Sequence, residues 1–141
     1  MILLDTCVVS ETMRPIPSRN VLNWLDGLPE SRVYLPAPVI GELHKGVELL
    51  PKGNSQNALR VWLEQLRERF TGKILSFDEE TAALWGVLTA GLEKSGRRLP
   101  VIDGILAALA LRHSALLATR NVSDFQDTGV EVVNPWEEGF S

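Results

Sequence analysis

Four acidic residues stand in or beside apolar elements of this 141-residue chain. Asp5 ends the run Met1-Ile2-Leu3-Leu4, and Glu42 lies inside Val39-Ile40-Gly41-Glu42-Leu43. Asp103 is the sole charge between Leu99 and Leu111. Asp124 follows Leu116-Leu117-Ala118 in the segment Thr119-Arg120-Asn121-Val122-Ser123-Asp124-Phe125. A carboxylate held out of water is costly unless something compensates it. Carboxylates gathered at one place also repel, and a hard divalent cation relieves both penalties. Mg²⁺ and Mn²⁺ prefer carboxylate oxygen and water. One or two such ions can polarise a phosphoryl oxygen, generate a hydroxide and stabilise a leaving alkoxide. The residue types therefore point to a metal-dependent phosphodiester enzyme.

Each acid alone has an ordinary explanation. Asp103 suits a helix N-terminus, where the dipole favours an acid by about 0.3–1 kcal/mol. Asp5 with Thr6 could cap a helix, Glu42 is a good helix former, and Asp124 is a routine loop acid. The joint pattern carries the inference. Other chemistries fit less well. His44 and His113 lack cysteine companions at zinc spacing. Cys7 and Arg14 are separated by six residues without phosphate-loop glycines, which disfavours a cysteine phosphatase. Position 7 is Cys where a haloacid-dehalogenase-like phosphatase wants a second Asp. There is no Walker loop and no dinucleotide fingerprint.

The elements that would position these acids alternate between strand and helix. Residues 1–4 read as a central strand buried on both faces. Val8–Met13 allows one or two helical turns before Pro15 and Pro17, and Ser18 can cap a helix to about Leu28. Val33-Tyr34-Leu35 reads as a strand. Pro38 suits the first position of a helix to about Leu50, with Val39, Leu43, Val47 and Leu50 on one side. After the Pro51–Asn54 loop an amphipathic helix carries Leu59, Trp62, Leu63, Leu66 and Phe70 on one stripe. Lys73–Ser76 reads as a third strand. Asp78 caps a helix ending near Gly96, and Pro100 starts another to about His113. Leu116–Thr119 and Val130–Val133 are the last strands. This alternation implies an α/β fold with a parallel sheet. Ligands of open α/β sheets gather at the carboxyl ends of strands. Asp5 and the Thr119–Asp124 segment follow strands, and Glu42 and Asp103 are expected in first turns of helices, so all four can reach one sheet edge.

Length predicts one domain, residues 1–141. The 45% apolar and 23% charged fractions are ordinary globular values. A net charge of −4 argues against indiscriminate nucleic-acid binding, though an acidic cluster loaded with metal reverses its local sign. A single cysteine, no evident signal peptide and no transmembrane-length run predict a cytoplasmic protein.

Leu4-Asp5-Thr6-Cys7-Val8-Val9-Ser10, Gly41-Glu42-Leu43, Asp103-Gly104-Ile105-Leu106-Ala107-Ala108 and Ala118–Phe125 together resemble the PIN-domain family in order, spacing and total length. Within it the chain looks most like the VapC/FitB-type toxins of bacterial type II toxin–antitoxin pairs, as does the ending Val133-Asn134-Pro135-Trp136. The resemblance implies a single PIN-like domain, a central mostly parallel sheet of about five short strands flanked by helices. It implies a small endoribonuclease in which Asp5, Glu42 and Asp103 match the first three acids, bind Mg²⁺ or Mn²⁺ and orient the attacking water. Thr6 and Thr119 match hydroxyls beside the cluster. A cognate antitoxin that masks the site, a homodimer, and operator DNA bound through the antitoxin are implied as well.

The chain departs from that pattern twice. The family usually has Asn where this chain has Cys7, a weaker hydrogen-bond donor, so the alternative is a catalytically weakened binding module acting through antitoxin and operator DNA. The fourth acid is either Asp124 or, with a neutral amide oxygen in its place, Asn121; Asp124 is favoured, with Asn121 beside the cluster. Arg14, Lys45, Arg97, Arg98 and Arg120 could line an RNA path, of which Arg14 and Arg120 are nearest the proposed site. Trp24, Trp62, Trp85 and Trp136 read as packing residues rather than base-stacking platforms.

Overall fold

The computed structural model describes residues 1–137, and the last four positions of the expected 1–141 span lie outside the described residues. Strands β1 (Ile2–Leu4), β2 (Val33–Pro36), β3 (Ile74–Leu75), β4 (Leu116–Ala118) and β5 (Val132–Val133) form one sheet in the order β3-β2-β1-β4-β5. Every pairing is parallel. Ile2 registers with Val33 on one side and Leu116 on the other, so β1 is the central strand. Its run of three buried residues is what a strand covered on both faces requires.

The covering helices are α1 (Thr6–Glu11), α2 (Arg19–Asp26), α3 (Ala37–Glu48), α4 (Asn54–Arg69), α5 (Glu79–Lys94) and α6 (Val101–Arg112). Strand order runs outward from β1 to β3, then returns past β1 to β4 and β5. Right-handed crossovers in opposite directions lay helices on opposite faces. Leu3, Leu35 and Leu117 of the sheet are fully buried, as are Val8, Val39, Leu106 and Leu109 of the helices. No described helix is long and apolar enough to cross a membrane.

Local chemistry explains most boundaries. The Ser18 hydroxyl accepts from the Val21 N–H, and Asp78 accepts from the Thr81 N–H at 2.9 Å, both as the capping signals predict. Helix α1 starts at Thr6, earlier than hydropathy suggests, because the Asp5 carboxylate accepts the Thr6 N–H. Pro38 sits one residue inside α3 rather than at its first position; its missing N–H still falls among the four without a helical partner. Leu50 lies beyond the end of α3 and is exposed, so the buried stripe ends at Val47. The edge strand β3 is only two residues long and half-buried, shorter than the Lys73–Ser76 run.

Candidate metal centre

The strand order changes direction between β1 and β4, and the crevice beyond the carboxyl ends of those strands is where such sheets bind ligands. Asp5 leaves β1 there and Thr119 leaves β4. Their backbones stay paired, the Asp5 N–H donating to the Ala118 carbonyl at 3.0 Å. The Thr119 hydroxyl donates to Asp5 Oδ2 at 2.8 Å, and the Thr6 N–H donates to Asp5 Oδ1 at 2.7 Å. Thr119 Oγ1 in turn accepts the Asn121 N–H at 3.1 Å. Both oxygens of the buried Asp5 are thus oriented by the chain. Burial pushes its pKa up, the bonds from Thr119 and Thr6 pull it back, and Glu42 adds repulsion. The capping role and the place in an acidic cluster are both present in this one residue.

Glu42 approaches from α3. Its Oε1 accepts the Thr6 hydroxyl at 2.6 Å, so one residue fastens two acids: Thr6 gives its N–H to Asp5 and its hydroxyl to Glu42. Glu42 stands in the second turn of α3 rather than the first, and it is exposed. Asp103 lies in the first turn of α6, half-buried, with the helix behind it buried from Leu106 to Ala110. Its pKa is raised from 3.8 to about 6, first by burial and then by repulsion from Asp5, Asp124 and Glu42. Those repulsions place Asp5, Asp124 and Glu42 within electrostatic reach of Asp103. Gly104 lets α6 sit close to α5, since a methyl there would meet Trp85 Nε1 at 3.0 Å and Thr89 Cγ2 at 3.2 Å.

Asp124 is half-buried on a 3-10 turn, Val122–Phe125. Asn121 is exposed and precedes that turn, where its backbone rather than its amide is engaged. Among the described residues, no three His, Cys, Asp or Glu side chains close around one point as a ready-made ligand shell. Mg²⁺ does not need such a cage: it retains several waters and takes one or two carboxylates. An all-oxygen set, with Asp103 left without a hydrogen-bond donor among the described residues and pressed by three like charges, fits a hydrated hard cation.

The surroundings separate the remaining candidates. Arg14 is exposed, pairs with Glu11 at 3.5 Å, and lines a groove of about 450 Å³ together with Thr6, Met13, Glu42 and Trp62. Arg120 is exposed and its guanidinium lies 5.0 Å over the Trp136 ring. Lys45 is exposed, and Arg98 faces Glu93 at 3.8 Å. The Arg97 guanidinium is engaged by the chain itself: it donates to the carbonyls of Ser123 and Asp124 at 2.9 and 2.6 Å, and to that of Gln126. Cys7 brings Sγ to 4.0 Å from Thr119 Oγ1, and burial pushes its thiol pKa up. Trp24 is buried as expected, and Trp62, Trp85 and Trp136 are half-buried. The acid overlooked in the sequence is Glu11, buried at 5% exposure. It accepts the Ser18 N–H at 2.8 Å and so ties the loop before α2.

Comparison with known proteins is consistent along the chain. The PIN domain profile matches residues 2–131. The chain is 42% identical over 139 residues to Toxin FitB of Neisseria gonorrhoeae, covering 98% of this chain and 100% of that one. It is 35% identical over 138 residues to VapC ribonuclease Y4jK of Sinorhizobium fredii, covering 97% and 99%. The solved structure of FitAB bound to an IR36 DNA fragment superposes with a TM-score of 0.93 at 41% identity, covering 97% of this chain and 96% of that chain.

Proposed function

This chain belongs to the PIN-domain family, and from that premise we propose that it is a metal-dependent endoribonuclease, the toxin of a type II toxin–antitoxin pair. As a single-domain cytoplasmic protein it hydrolyses RNA phosphodiester bonds at a site made by Asp5, Glu42, Asp103 and Asp124. The observation that carries this reading is the gathering of three acids around the half-buried Asp103 at the sheet's switch point. The names and assemblies of its relatives support it: one is a ribonuclease, and FitAB is a complex bound to DNA.

A Mg²⁺ or Mn²⁺ ion held by these acids would lower the pKa of a water and offset charge on the phosphodiester. The residues of the chain do the positioning. Thr119 and Thr6 hold Asp5 in one rotamer before any ligand arrives. Thr6 fixes Glu42 through Oε1, which leaves Oε2 for the attacking water. Asp103 and Asp124 would complete the acidic set. The exposed Arg14 and Arg120 would offer charge to RNA phosphates near the scissile bond. Arg120 is stiffened by Trp136 beneath it. The groove beside Glu42 is a suitable seat for a cognate antitoxin that masks the site. Dimer formation and operator binding through the antitoxin follow the same family reading.

The test is cleavage of defined RNAs by antitoxin-free protein in Mg²⁺, Mn²⁺ or EDTA, beside Asp103→Asn. Metal-dependent cutting that the variant loses is expected; cutting by a folded Asp103→Asn protein at the wild-type rate would sink the assignment. Cys7 favours a second reading, a weakened enzyme working as a binding module, because a sulfur 4.0 Å from Thr119 is a poor substitute for an amide in the network around Asp5.

A further inference from the structure

We propose that Arg97 is a positioning residue for the acidic site, acting through the turn that carries Asp124; this rests on the metal-site reading above. Helix α5 ends with Gly96 at φ 82°, and the Arg97 N–H donates back to the Leu92 carbonyl at 2.9 Å. This left-handed termination directs the Arg97 side chain away from the helix. Its Nη2 meets the Ser123 carbonyl at 2.9 Å and the Asp124 carbonyl at 2.6 Å, and its Nη1 meets the Gln126 carbonyl. A carboxylate, Asp127, lies 3.5 Å from Nη1.

A guanidinium presents its donors in a rigid planar fork. Here most of the fork is used on backbone oxygens of one short segment. The Asp124 carbonyl is among them, so the backbone of the acid itself is held. One side of the turn is anchored by Phe125, buried in the core, and by local bonds from the Asp124 N–H to the Asn121 carbonyl at 3.1 Å and from the Thr128 hydroxyl to the Phe125 carbonyl at 2.5 Å; Arg97 grips the carbonyls on its outer side. Asp124 lies within electrostatic reach of Asp103, a like charge that favours displacement of the acid away from the site. Arg97 opposes that displacement from the side of α5, the helix packed against α6. The cap at Gly96, the fork and the two acids therefore form one chain of support.

The experiment is Mn²⁺ titration calorimetry on wild type, Asp124→Asn, Arg97→Ala and the double variant, with circular dichroism for the fold and hydrogen exchange on residues 122–127. Asp124→Asn should weaken Mn²⁺ binding about 10-fold or more, and Arg97→Ala alone by a similar factor. Added to Asp124→Asn, Arg97→Ala should change affinity less than about two-fold, because both act on one group. Exchange in 122–127 should quicken in Arg97→Ala. Arg97→Lys keeps the charge without the fork and should fall between the two. A flat Asp124→Asn would remove Asp124 from the site itself. A loss in Asp124→Asn with a flat but folded Arg97→Ala would overturn the role of Arg97 alone. If Arg97→Ala and Arg97→Lys both unfold, Arg97 holds the fold as a whole and the assignment falls.

Discussion

Asp5 and Asp103 sit at the same sheet edge and are treated in opposite ways. Asp5 is buried, and the Thr6 N–H and the Thr119 hydroxyl each bind one of its oxygens. Asp103 is half-buried, has no hydrogen-bond donor among the described residues, and faces three like charges. One acid is finished by the protein. The other is left with charge that either a proton or an added cation must neutralise. The contrast shows how such a site can be rigid and electrostatically unsatisfied at once. If the site holds an ion as proposed, the backbone of a central strand would fix one ligand, and the repulsion on a second would favour the ion.

The largest expected effect tests the finished half. Thr119→Val removes the donor to Asp5 and the acceptor for the Asn121 N–H, in a position with no solvent access. RNA cleavage should fall roughly 10- to 100-fold, as for partners that orient metal ligands. Folding stability, read by chemical denaturation, should drop by about 1–2 kcal/mol. A Thr119→Val protein with wild-type cleavage would break the comparison, since Asp5 would then need no orienting.

The unfinished half should respond with the opposite sign in stability. The folded-state pKa of Asp103, about 6, lies above its ordinary 3.8. Between those values the folded chain holds a proton that the unfolded chain has released. Stability of the metal-free protein from this group is therefore present below about pH 4 and lost as pH rises through about 6. Asp103→Asn, which cannot ionise, should be more stable than wild type in EDTA at pH 7, by about 1 kcal/mol once solvent screening of a half-exposed group is allowed for. The difference should shrink toward zero at pH 4. Equal stabilities of the two proteins at pH 7 would mean that Asp103 is not under repulsion.

The smallest effect concerns Cys7, which borders the finished half without completing it. Cys7→Asn should raise cleavage by a few-fold, on the scale of one improved hydrogen bond of about 1 kcal/mol. A change of a hundred-fold or more would favour the binding-module reading of the natural chain, and a decrease would show that the thiol is the better fit.

Much of this contrast was legible in the residues. The all-apolar run before Asp5 marked the central strand, and the single charge in the Leu99–Leu111 run marked Asp103, because burial dictates both patterns. Ser18 and Asp78 cap where their types say they should. The exposure of Glu42 was not legible, because which face of α3 meets water depends on helices far away in sequence. Nor was Glu11, whose burial comes from a loop closing on it at Ser18. Arg97 read as a surface cation because its partners are backbone carbonyls, and carbonyl groups leave no mark in a sequence.

The hydrogen bond between Thr119 and Asp5 joins residues 114 apart in the chain, and a polypeptide is made from its N-terminus. Until β4 has emerged and docked beside β1, no stretch of this protein contains the site. A product cut short before Thr119 would carry three of the four acids and still lack the strand that orients the first of them. Made as fragments, such products should neither hold Mn²⁺ nor cut RNA. The architecture thus delays assembly of the acidic site: non-local pairing holds it back until β4 has been made and has docked, which gives a neutralising partner made at the same time an interval in which to be ready.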